Sequence, residues 1–184
     1  MQTSIYPGNR THPSPAFPDH SEKAEAKRQL GIDPDSLHLL VFCPGCEANA
    51  LSELLSMIYI GDDMDSEISI ICWENVEQSR YLEKAIGHIE TFHLYGVPDD
   101  MSMMFYSADL ILAQANDGIA MEAARLHLPL VLVDEQNMSG NCRRLMERGC
   151  AVSSRDSAEL AEACVELLRN RQRRKQMEMN YGLL

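Results

Sequence analysis

Apolar and polar positions alternate in blocks along this chain. Short apolar runs recur at His38 to Cys43, Ile68 to Trp73, Ile89 to Tyr95, Leu110 to Ala113, Leu130 to Val133 and Cys150 to Ser153. Continuous apolar runs of this length, bounded by turn residues, read as strands buried on both faces. Between them the apolar period lengthens to that of a helix, most clearly at Ala50, Leu51, Leu54, Leu55 and Ile58. Helices are predicted over Ser21 to Leu30, Glu47 to Ile58 and Glu77 to Ile86. Another is capped by Asp99 or Asp100 and runs through Ser107, and a further one follows Gly118. Cys142 to Arg148 and Asp156 to Leu168 complete the set, the last continued by the basic segment Arg169 to Lys175. Strands alternating with helices through brief turns predict an α/β fold: a doubly wound, parallel, six-stranded Rossmann-like sheet. Residues 1–20 contain Pro7, Pro13, Pro15 and Pro18 with little periodicity, so they read as a linker or tail ahead of a domain at 21–184.

Composition narrows the function. Hydrophobic residues make 45% of the 184-residue chain and charged residues 24%, ordinary for a globular domain. A net charge of −12 argues against nucleic acid as a partner, because nucleic-acid binding leaves a basic footprint. No apolar run approaches the roughly 20 residues of a membrane span. The six cysteines lie in or beside apolar segments and read as reduced thiols of a cytoplasmic protein. The histidines lack ligand spacing, so neither a metal nor another cofactor is expected.

Candidate chemistry concentrates in Asp109 to Asn141. The apolar run Leu110 to Ala113 stops at a polar turn, Gln114 to Gly118, before a helical pattern; a second run, Leu130 to Val133, stops at Asp134 and a loop ending Gly140-Asn141. In open parallel sheets, ligands sit at the carboxyl ends of strands, where helix N-termini offer N–H groups to anions. The stretch therefore reads as a nucleotide site.

Gly96-Val-Pro-Asp-Asp-Met101, Met104, Ala108-Asp109-Leu110, Glu122-Ala123, Leu128-Pro129, Gly140-Asn141 and Gly149-Cys-Ala-Val152 follow one another in a single register. In that order and spacing they resemble the C-terminal, donor-binding domain of glycosyltransferase family 28. The resemblance implies one half of a GT-B fold that holds a uridine-diphosphate sugar. It implies that Glu122 accepts hydrogen bonds from the ribose hydroxyls, from the first turn of its helix, with Val97 at the uracil edge and Met101 packed beside it. Gly45, Cys46, Asn116 and Gly118 are implied at the diphosphate, and Asn141 with Asn137 at the sugar. It further implies inverting transfer without a metal, with the acceptor site and general base on an N-terminal half or a partner chain. Contact with a membrane surface would come through that partner. Since the chain opens on what resembles the interdomain linker, an excised domain, a split subunit and a degenerate relative are all open. So are a regulatory subunit that keeps the fold, and a sugar-nucleotide epimerase or hydrolase.

Two turns depart from the family pattern. Pro44 removes an N–H from the first, and Glu47 and Asp117 bring negative charge to an anion site, each opposing a diphosphate by about 1 kcal/mol. Cys43-Pro-Gly-Cys46, at the head of a helix, also has the placement of a thioredoxin-like redox pair, against the plainer reading of two buried thiols. Arg169 to Lys175 reads either as a lipid-headgroup contact or as a solvated helix face. Met101, Met103, Met104 and Met121 read as core filler, and His93 and His127 as structural.

Overall fold

The computed structural model describes residues 20–63, 65–134 and 138–183. The strands are β1 (His38–Phe42), β2 (Glu67–Ile71), β3 (Phe92–Tyr95), β4 (Leu110–Gln114), β5 (Leu130–Val133) and β6 (Ala151–Ser154). All pair in parallel, in the order β3-β2-β1-β4-β5-β6. The helices are α1 (His20–Gln29), α2 (Ala48–Gly61), α3 (Val76–Ile86), α4 (Met101–Ser107), α5 (Asp117–Leu126), α6 (Gly140–Glu147), α7 (Ser157–Arg169) and α8 (Arg171–Asn180).

Side chains alternate across each strand, so one sheet feeds two cores. Leu39, Val41, Ile68, Ile70 and Leu112 pack with α2, α3 and α7, whereas Leu40, Phe42, Ile71, Ile111 and Leu132 pack with α4, α5 and α6. This is why the strands are apolar on both faces. The strand order reverses between β1 and β4. The loop heading α2 and the loop heading α5 therefore adjoin at the carboxyl edge, where such sheets open a crevice.

Several boundaries move for local reasons. The predicted turn at Gln114 to Gly118 shortens, because Gln114 pairs with Val133 and Asn116 caps α5 by accepting from the Ile119 N–H at 3.0 Å. Gly140 and Asn141 belong to the first turn of α6, whose cap is Ser139, rather than to a loop. The basic tail does not simply continue α7. The backbone breaks at Asn170, which caps α8 by accepting from Arg173 N–H. Arg174 turns inward and donates to the carbonyls of Leu167 and Leu168 at the end of α7, so it is a buried cap rather than part of a solvated face.

At the amino edge, Asp109 joins three elements. It accepts from Lys23 (2.9 Å) and Lys27 (2.7 Å) of α1 and from the His38 N–H of β1 (3.0 Å). Burial alone would raise its pKa, but the two lysines outweigh burial and hold the carboxyl below its usual value. The Ala108-Asp109-Leu110 segment is thus a structural joint.

Candidate nucleotide-sugar site

The loop between β1 and α2 is held by three carboxamides. Cys46 N–H donates to Cys43 O at 3.1 Å, closing a four-residue turn. Asn75, the cap of α3, donates to Pro44 O at 2.7 Å. Gln78 Nε2 donates to Cys43 O (2.9 Å) and Cys46 O (2.8 Å), and Gly45 N–H donates to Gln114 Oε1 at 2.7 Å. A Cβ on Gly45 would lie 2.6 Å from Gln114 Nε2, so glycine is what lets the Gln114 side chain reach the loop. The Gly45 amide expected at a diphosphate is therefore engaged by the protein's own Gln114.

The α5 loop is similarly committed. Asn116 spends its side-chain oxygen on the Ile119 N–H, and Gly118 is the second residue of the helix. Glu47 and Asp117 are exposed at the heads of α2 and α5, which keeps the anion side of the crevice acidic.

Glu122 lies in the second turn of α5 and not the first, because the helix begins at Asp117. Arg125 Nε (3.0 Å) and Nη2 (2.8 Å) both donate to Glu122 Oε2, leaving Oε1 without a donor among the described residues. Arg125 also lies over the Tyr106 ring of α4, 5.9 Å from its centroid. A chain of contacts thus runs from α4 to the carboxylate. Met101 opens α4 and is half-buried against the second core, while Val97, after β3, is 52% exposed.

Asn141 lines a cavity of about 380 Å³ between α5 and α6 with Ala120, Met121 and Arg144. Met121 is 63% exposed at this groove and so is not core filler; Met104 is. Asn137 lies outside the described residues. A larger cavity, about 420 Å³, opens at the opposite edge of the sheet around Lys27, Asp109 and Arg174. Among the described residues no group of three or more acidic, cysteine or histidine side chains is placed to hold a metal.

The structure thus joins the Gly45 loop to Gln114, two residues before Asn116, and sets Met101, Glu122 and Asn141 on three consecutive helices of one layer. Sequence reasoning placed Gln114 in the candidate turn but not its bond to Gly45, and it missed Asn75, Gln78 and Trp73. Asn75 had a legible signal as a helix cap, and Trp73, packed edge-on against Phe42 at 5.9 Å with a left-handed backbone (φ 55°), had none. His93 pairs with Glu67 at 2.7 Å, and the His127 ring stacks on Tyr181.

No family model matches the chain. A curated relative, the UDP-N-acetylglucosamine–N-acetylmuramyl-(pentapeptide) pyrophosphoryl-undecaprenol N-acetylglucosamine transferase of Bacteroides thetaiotaomicron, is 22% identical over 178 residues. The match takes in 90% of this chain and 48% of that protein, its C-terminal half. The chain is thus similar in sequence to one half of that transferase, as it is to the corresponding enzyme of Phocaeicola vulgatus at 22% identity over 177 residues. It spans about half the length of the curated relatives it matches. Among solved structures, the family-28 enzyme MurG of Acinetobacter baumannii superimposes with a TM-score of 0.64 at 19% identity, over 92% of this chain and 49% of that one. The UDP-GlcNAc 2-epimerase of Neisseria meningitidis bound to UDP-GlcNAc superimposes with a TM-score of 0.68 at 13% identity, over 85% and 43%. These likenesses show the GT-B half-fold that family 28 shares with the epimerase. Among the described residues no helix is long and apolar enough to cross a membrane.

Proposed function

We propose that this chain is the UDP-sugar-binding half of an inverting hexosyltransferase that works with an acceptor-binding half or partner chain. What supports this reading is Glu122: a carboxylate on α5, 25% exposed, where the family resemblance implies ribose contact, with Oε2 paired to Arg125 and Oε1 without a donor among the described residues. A carboxylate oxygen accepting from a ribose hydroxyl makes a charge-assisted bond, which is strong and directional. Val97 and Met101 would face the base, Gly45, Cys46, Asn116 and Gly118 the diphosphate, and Asn141 with Asn137 the sugar. Residues 1–20 would link the two halves, with 21–184 as the donor domain and the membrane met through the other half.

Calorimetric titration with UDP tests this. Micromolar binding that Glu122→Ala weakens about tenfold, near 1.4 kcal/mol, supports ribose contact at Glu122. Absence of heat at millimolar UDP would sink donor binding by this chain.

The Gly45–Gln114 bond and the acids Glu47 and Asp117 favour a second reading, a partner subunit with a weakened diphosphate subsite. Uridine and UDP separate the two. A donor domain binds UDP tenfold or more tightly than uridine, and the degenerate subunit binds both alike.

A further inference from the structure

The Cys43-Pro-Gly-Cys46 turn is better organised than a passive loop requires. Its backbone bond from Cys46 N–H to Cys43 O closes a β-turn, which keeps the outer Cα atoms within about 7 Å, the upper limit of what a disulfide spans. Asn75, Gln78 and Gln114 then hold Pro44 O, both cysteine carbonyls and Gly45 N–H. Cys43 Sγ donates to Leu112 O at 3.9 Å, and the neighbouring Cys46 thiol together with burial pushes the Cys43 pKa up. Cys43 is 1% exposed and Cys46 half-buried, so a reagent from solvent meets Cys46 first. Cys72, Cys142, Cys150 and Cys164 are buried, and all six cysteines are free thiols.

We propose that Cys43 and Cys46 form a reversible dithiol–disulfide pair, a thiol–disulfide exchange site on the loop that heads α2. The oxidant is a small-molecule disulfide. The Cys46 thiolate attacks one of its sulfurs, forming a mixed disulfide and expelling a thiolate. Cys43 Sγ then attacks Cys46 Sγ as its proton passes to the departing sulfur, which leaves as the second thiol. The protein gives up two electrons and two protons, and the reagent disulfide is reduced to two thiols. Fixing the backbone beforehand makes ring closure intramolecular and fast, so the mixed disulfide does not accumulate.

The whole chain would be incubated with excess oxidised glutathione, quenched in acid, alkylated while denatured and mapped by mass spectrometry. The expected result is loss of two of the six alkylatable thiols, about 2 Da of mass, a Cys43–Cys46 cross-link and full recovery with dithiothreitol. Cys43→Ser should instead keep glutathione on Cys46, which identifies the attacking sulfur. The proposal falls if all six thiols survive, if glutathione stays on Cys46 of the unsubstituted chain, or if the link joins another pair. Because mass and not nucleotide binding is read, failure here is distinct from failure of the donor reading. A chain that closes the disulfide yet ignores UDP overturns only the latter.

Discussion

Single residues in this fold carry opposite burdens at the two edges of the sheet. At the amino edge His38 is fully buried, its Nε2 bonded to Ser69 Oγ at 2.8 Å and its Nδ1 without a partner. Burial dominates its titration and lowers the pKa from 6.5 to about 3, against the opposing pull of Asp109. The folded chain therefore keeps His38 neutral where the unfolded chain would protonate it. Stability is full above pH 6.5 and declines as pH falls toward 3. At pH 5 the loss amounts to about 2 kcal/mol. Urea midpoints at pH 7 and pH 5 would show the decline, and His38→Gln should remove most of it; an equal decline in the variant would assign the effect elsewhere. At the carboxyl edge the residues that matter are instead exposed and paired, as Glu122 is with Arg125. Both Arg125 bonds go to Glu122 Oε2, so under the donor reading a ribose hydroxyl would donate to Oε1 without displacing the arginine.

Among the elements, α5 does most to shape the crevice, and it depends on its ends. Asn116 caps the first turn and His127, at φ 50°, ends the helix in a left-handed conformation, with its N–H returned to Ala123 and Ala124. Asn116→Ala should cost about 1 kcal/mol of stability, read by urea denaturation. Because the same substitution loosens the turn that carries Asp117 and Gly118, UDP affinity should fall with it if the donor reading holds. Stability lost with affinity unchanged would separate the cap from the site. By contrast α1 is mostly polar, with Ala24 and Ala26 its buried apolar residues and Lys27 buried beside them. It is attached chiefly through charge.

That attachment makes Asp109 the joint of the whole molecule. Asp109→Asn would leave Lys27, 4% exposed, beside a neutral amide, and breaking a buried pair in this way costs about 3–5 kcal/mol. A loss below about 1 kcal/mol would mean that Lys23 and Lys27 find water instead. At the same scale the charge is unevenly spread. The chain carries −12 overall; Lys23, Lys27, Arg171, Arg174 and Lys175 line the amino-edge cavity together with Asp35, Asp109 and Glu178, while Glu47 and Asp117 stand at the heads of α2 and α5 and Arg144 and Arg148 line the α5–α6 groove. The two acids at the helix heads oppose a diphosphate there, which is why uridine against UDP is the informative comparison.

Much of this was legible along the chain. Runs such as Leu110 to Ala113 specify strands covered on both faces, and alternation with helical spacing leaves a parallel sheet as the solution, since parallel neighbours need a crossover between them. The cap of α4, expected at Asp99 or Asp100 and found at Asp100, was readable because it depends on neighbours within a few residues. The contacts that close the crevice were not. Gln114 reaches Gly45 across 69 positions, Asn75 and Gln78 reach the same loop from α3, and Arg174 folds back to cap α7. Local pattern encodes which backbone each segment adopts and which face it buries. Which side chain satisfies a distant N–H or carbonyl is decided only when the sheet order sets the loops side by side, because a hydrogen bond needs its partners within about 3 Å and carries no periodic trace in the sequence.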